Sequence, residues 1–392
     1  MGTMGKVPGL ASDRIRWPWS NSRVSILERI RFPTVLLLTL VVGLMGARNS
    51  RAESVVPPWP GLPERDGAVM IPAQEWPRRP GTRQIRVLVH YPGGTRAGIG
   101  PKTGIFLTLH NWGGTDCVGT ADPRSLAQEF DAIAVCVNYL QSGREEGIDG
   151  PEAYDFGWFQ ALDALRALAW VRLQLQSAGI PHARGRIFAT GGSGGGNVAL
   201  MANKLAPRTF ACVIDLCGMK KLTDDVAFGL PGGSTLHARW SRDPASPDFL
   251  SMAAREIRFV GHPGHLAVMK RLGNSARIIS VHGVEDTSCL FEDAVELEAN
   301  MRGAGLDYRL EKITASRLDG RVFTGTGHAL GDRTLIPGRV AGNGLRAGGP
   351  EAFERPGPTD FEIRDEIRYS VEGGEYVISY RSGFPIGTFH PR

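Results

Sequence analysis

The chain has 392 residues, 42% of them hydrophobic and 22% charged. That balance supports a large buried core and excludes a disordered chain or a coiled coil. The net charge of +5 does not mark a nucleic-acid binder. Residues 1–52 carry eight Lys/Arg against two Asp/Glu, and the remainder is left with one negative charge in excess. No cationic field remains there for a phosphate backbone.

In chain order, residues 1–52 read as a targeting signal. Arg14, Arg16, Arg23, Arg29 and Arg31 precede an apolar run over residues 32–47, and Ser50-Arg51-Ala52 is a small-x-small cleavage pattern. The run is shorter than the roughly 20 residues a membrane-crossing helix needs. The expectation is an exported protein, periplasmic or extracellular, with no stable membrane span in its mature form. An uncleaved anchor is the alternative. A stiff Pro-rich leader follows over residues 53–65, with Val55-Val56-Pro57-Pro58-Trp59-Pro60 at its heart.

Strand-sized apolar runs then recur at residues 85–90, 105–110, 133–140, 186–190, 212–216, 278–282 and 308–313. Several are β-branched throughout, as in strands buried on both faces of a parallel sheet. Between them, Trp158, Leu162, Leu165 and Ala169 repeat at helical spacing, as do Val198, Met201, Ala202 and Leu205. Strand–helix alternation predicts a mostly parallel, doubly wound α/β sheet over residues 66–330. The alternation lapses over residues 218–273, which predicts a lid or cap insertion. Residues 331–358, rich in Gly and Pro, read as a linker. Residues 359–392 read as a C-terminal β-hairpin turning at Gly373-Gly374.

The five cysteines form no disulfide framework, and an odd count leaves at least one thiol unpaired. Cys136 and Cys212 lie in apolar runs and read as small buried hydrophobes. No CxxC occurs, and His262 with His265, three apart and lacking a third ligand, make a weak metal motif. No cofactor or metal is expected.

The strongest chemical signal is Gly191-Gly192-Ser193-Gly194-Gly195, a G-x-S-x-G motif between a strand and an amphipathic helix. Such a turn pushes the serine hydroxyl into the open and leaves no room for flanking Cβ atoms. A phosphate loop is the competing reading, but neither G-x-G-x-x-G nor a following Lys-Ser/Thr is present. A nucleophilic serine needs a base and an orienting carboxylate, in the order Ser, acid, His on this scaffold. Asp286 follows a buried strand, and His328 lies in Gly325-Thr326-Gly327-His328. Glu285 and Asp215 are the competing acids, Asp215 reading better as a buried residue satisfied by backbone amides. The backbone amides of Gly194 and Trp112 are the expected oxyanion donors, with Asn111 as substitute. His110 and His282, at strand ends, read as structural.

On these motifs the chain resembles the α/β-hydrolase superfamily over roughly residues 66–330. Tyr154-Asp155-Phe156-Gly157-Trp158 and the stretch 197–215, with Leu205-Ala206-Pro207, look like a bacterial family of uncharacterised function. That family is related more distantly to prolyl-oligopeptidase-like and dienelactone-hydrolase-like enzymes, and this sequence is expected to lack the N-terminal propeller of the oligopeptidases. The resemblance implies a serine hydrolase with Ser193, Asp286 and His328 as triad but supplies no substrate; a small-molecule ester is the expected one. A peptidase, or a non-catalytic binding module on a decayed scaffold, are the alternatives.

Overall fold

The computed structural model describes residues 59–392. Residues 1–52, read as a targeting signal, and residues 53–58 of the Pro-rich leader lie outside the described residues. Eight strands form one sheet: β1 (Gly67–Ala73), β2 (Arg83–His90), β3 (Gly104–Leu109), β4 (Ala132–Asn138), β5 (Ile187–Gly192), β6 (Cys212–Leu216), β7 (Arg277–Gly283) and β8 (Tyr308–Ile313). Their order is β1-β2-β4-β3-β5-β6-β7-β8. β2 runs antiparallel to both β1 and β4, and the rest of the sheet is parallel.

Side-chain alternation sends the strands into two cores. Ile105, Leu107 and Leu109 of β3 join Ile133, Val135 and Val137 of β4 on one face, and Phe106, Ala132 and Ala134 take the other. The first face is covered by α3 (Trp158–Ser177), α4 (Gly194–Leu205), α7 (Pro263–Arg271) and α8 (Phe291–Gly303). The second is covered by α1 (Pro123–Phe130) and α9 (Ile336–Leu345). Four shorter helices complete the described elements: α2 (Arg144–Gly147), α5 (Asp224–Phe228), α6 (Met252–Arg258) and α10 (Asp360–Ile363).

Residues 331–358 are therefore not an open linker. Helix α9 lies within them, and its Ile336 and Leu345 are fully buried against Ile279 and Phe323. Tertiary packing holds a glycine-rich helix that propensity alone disfavours. The insertion also narrows. Met219, Leu222, Val226 and Leu250 form a small core with Tyr154 and Phe156, whereas Ile257 of α6 and Leu266 of α7 belong to the main core.

The C-terminal hairpin is present and gains a third strand. β9 (Glu366–Val371), β10 (Gly374–Ser379) and β11 (Ile386–Pro391) form an antiparallel sheet in the order β11-β10-β9. Val371 pairs with Gly374, so the turn is Glu372-Gly373, one residue earlier than expected, with Gly373 at φ +68°. Its tyrosines reach the end of the helix that follows Ser193: Tyr380 donates to Leu205 O at 3.0 Å, and Tyr369 donates to Lys204 O.

Cys136 is not a lone buried thiol. It is disulfide-bonded to Cys117 across a Cα–Cα distance of 6.1 Å. Its parity in β4 faces it toward the loop after β3, and the bond ties that loop to the sheet. Among the described residues, no helix is long and apolar enough to cross a membrane.

Candidate active site

β5 runs into α4 through Ser193, whose backbone lies at φ +55°, ψ −120°. A residue with a Cβ is strained there, and close backbone packing on both sides holds it. A Cβ on Gly191 would lie 2.3 Å from the Gly195 carbonyl oxygen, and one on Gly195 would lie 2.3 Å from that of Leu109. The Ser193 amide donates to Leu216 O at 2.8 Å, fixing the turn to the end of β6.

The loop after β3 crosses the start of α4. Trp112 N lies 2.8 Å from the place a Gly194 Cβ would take. Neither the Trp112 nor the Gly194 amide donates to another group among the described residues. Two free N–H groups, one at a helix N-terminus, form the arrangement that stabilises an oxyanion. The Trp112 indole donates to Gly147 O at 2.7 Å and stacks on Tyr154 at 3.9 Å.

The side chain of Asn111 is engaged elsewhere. Its Oδ1 accepts from Arg333 Nη1 at 2.7 Å, and its Nδ2 donates to Gly119 O at 3.3 Å. The side chain is turned into the fold by these bonds.

Asp286 sits in the loop after β7, fully buried at its side chain. Oδ1 accepts from the amides of Ser288 (2.8 Å) and Cys289 (3.0 Å). Oδ2 accepts from His328 Nδ1 at 2.8 Å and faces His282 Nε2 at 3.4 Å. Burial pushes its pKa up, but hydrogen bonds from His282 and His328 outweigh that and hold it well below the usual carboxylate range. Asp286 is thus an ionised hydrogen-bond acceptor for the imidazole.

His328 arrives on a loop packed against Gly283, where an added Cβ would lie 2.2 Å from Thr326 O. The Glu285 amide donates to Thr326 O at 2.9 Å, and the Thr326 hydroxyl donates to the Glu285 carboxylate. Glu285 therefore anchors the loop and leaves the imidazole to Asp286. Asp215 is buried near the Ser193 turn, where it accepts from Gly218 N (2.7 Å), Ser280 Oγ (2.6 Å) and Lys220.

Cys217 ties these parts together. It follows the residue that holds the Ser193 amide, and its Sγ, an Asp286 oxygen and a His328 nitrogen all lie within 4.8 Å of one another. Ser193 Oγ and His328 are not in hydrogen-bond contact, a contact that is often loose without substrate. His110 Nε2 meets Ser142 Oγ at 2.6 Å and its ring stacks on Tyr139, while His282 Nε2 donates to Cys289 O at 2.7 Å. Burial lowers the His110 pKa to about 4. His262 caps α7, and His265 packs under Tyr369 with Nε2 on Ser370 O.

One residue absent from the sequence reading stands out. Arg333, nine-tenths buried, reaches from the segment after His328 to the loop after β3. Nothing in a Gly- and Pro-rich composition signals it.

The strand order, with an antiparallel second strand and a serine on the turn after the fifth, makes the described chain an α/β-hydrolase by fold. A family described as a protein of unknown function (DUF2920) matches residues 148–337, a stretch that includes Ser193, Asp286 and His328. No curated protein matches the sequence. The structure is similar to the uncomplexed acylaminoacyl peptidase of Pyrococcus horikoshii, at 14% identity over 75% of this chain and 43% of that one, with a TM-score of 0.49. It is also similar to dipeptidyl peptidase 4 of Porphyromonas gingivalis, at 13% identity over 64% of this chain and 32% of that one, with a TM-score of 0.45. The chain spans less than half the length of either structure.

Proposed function

We propose that the chain is an exported serine hydrolase that cleaves a carboxylic ester through an acyl-enzyme. The observation that supports this reading is a strained Ser193 at the start of α4 beside two unoccupied amides, together with an imidazole oriented by a buried carboxylate. His328 Nε2 takes the Ser193 proton as Oγ attacks the carbonyl carbon. Asp286 holds Nδ1–H and stabilises the imidazolium, and the Gly194 and Trp112 amides receive the oxyanion. His328 returns the proton to the leaving alcohol, and water then releases the acid by the same steps.

The completeness of the constellation favours catalysis over a binding module. The Cys117–Cys136 disulfide supports an oxidising compartment, in keeping with the signal read in residues 1–52. Amides are the competing substrate class.

A panel of aryl esters against peptide anilides tests the reading. Esters are expected to turn over faster, and Ser193→Ala is expected to lose about a million-fold in kcat. Faster anilide cleavage would shift the assignment to a peptidase. Activity retained by Ser193→Ala would end it.

A further inference from the structure

We infer that Arg333 is a positioning residue, which holds the oxyanion loop and the base loop in register over the nucleophile turn. This rests on the hydrolase reading above and extends it to a side chain that touches no substrate.

Three segments far apart in sequence meet at its guanidinium. Nη2 donates to His328 O at 2.9 Å, the backbone of the base itself. Nη1 donates to Asn111 Oδ1 at 2.7 Å and to Gly119 O at 3.3 Å, the two ends of the loop that carries Trp112. The third segment is the turn: a Cβ on Gly192, immediately before Ser193, would lie 2.5 Å from Nη1 and 3.0 Å from Asn111 Oδ1. The guanidinium thus lies on the backbone of the elbow, with an arm to each of the other two parts.

The chemistry requires this type of side chain. A planar fork with several fixed N–H donors can serve diverging acceptors at once, while a lysine ammonium on a flexible stem serves one direction well. Burial lowers the Arg333 pKa, and no carboxylate forms an ion pair with it within the described residues. A buried cation satisfied by three neutral oxygens is costly as a stability device. Its acceptors are the loops whose relative placement sets the distance from imidazole to hydroxyl and from hydroxyl to the oxyanion amides.

The test uses the full chain and p-nitrophenyl acetate, with active sites counted by a fluorophosphonate probe. Arg333→Met is expected to lower kcat per labelled site by about 10–100-fold with KM little changed, as for a small misplacement of reacting groups. Arg333→Lys is expected to recover part of that loss. Adding Asn111→Ala to Arg333→Met is expected to cost nothing further, since both remove one linkage. An unchanged kcat per labelled site in Arg333→Met, with only the unfolding temperature lowered, would reduce the residue to a structural role and overturn the inference. Independent, additive losses in the double variant would do the same. A wild type that takes no label would overturn the hydrolase reading and this inference with it, whereas a labelled wild type beside an unaffected Arg333→Met overturns this inference alone.

Discussion

Asp286 accepts from backbone amides through one oxygen and faces two imidazoles through the other. This division predicts the effect of Asp286→Asn. The asparagine oxygen keeps the Ser288 and Cys289 amides, and its NH2 group then confronts His328 Nδ1. The ring must turn its lone pair to that nitrogen and carry its proton on Nε2, where it can no longer accept one from Ser193. The expected loss in kcat is about 10,000-fold, with the unfolding temperature close to that of the wild type. A loss below about tenfold would contradict the assigned tautomer. Ser193 was legible as a candidate because its glycine-flanked turn joins a strand to a helix, and the pairing of Asp286 with His328 was anticipated from their order along the chain, which is a pattern in one dimension. Arg333 and the inward turn of Asn111 were not, because their partners lie more than 200 residues away in sequence. Five candidate thiols likewise gave no hint that Cys117 and Cys136 pair.

At the scale of elements, the strands buried on both faces were read to within a residue or two, since continuous apolar runs survive any register. β1 was missed. It is an edge strand with Met70 half exposed, and its alternation is faint. Helix α9 was missed because Pro337, Gly338, Gly342 and Gly344 mimic a linker, while the packing that stabilises it belongs to the sheet. The C-terminal sheet carries a prediction of its own. β9 covers His265 of α7 and Lys204 of α4, with Tyr369 between them. Burial lowers the His265 pKa to about 2, with Lys204 and His262 acting in the same direction against a hydrogen bond to Ser370 O. Burial likewise holds Lys204 well below its ordinary value. The folded state thus keeps His265 neutral, while the unfolded chain protonates it near its ordinary pKa of about 6.5. Stability conferred by the docked sheet is therefore present above that value and falls progressively as the pH drops below it. The urea midpoint is expected to fall between pH 7.5 and pH 5, and to fall less in His265→Gln. An equal fall in both proteins would contradict the assignment.

Across the whole molecule, the two helical layers and the appended sheet serve one turn. α4 leaves Ser193 at one end and is held by Tyr369 and Tyr380 at the other, so the C-terminal extension fixes the far end of the helix whose first amide is that of Gly194, a proposed oxyanion donor. The disulfide fixes the loop that supplies the second amide. The mostly parallel, doubly wound sheet was legible in the alternation of strands and helices, but this distribution of supports was not, because it arises where the chain returns after some 170 residues to pack on its own middle. The proposed catalysis turns on the geometry around one hydroxyl. A crystal structure of the protein inactivated by a fluorophosphonate tests it most directly. Phosphorus is expected on Ser193 Oγ, with the phosphoryl oxygen about 2.7–3.1 Å from both the Gly194 and Trp112 amides and the His328 ring still on Asp286. An adduct on another side chain, or a phosphoryl oxygen pointing away from those two amides, would contradict it.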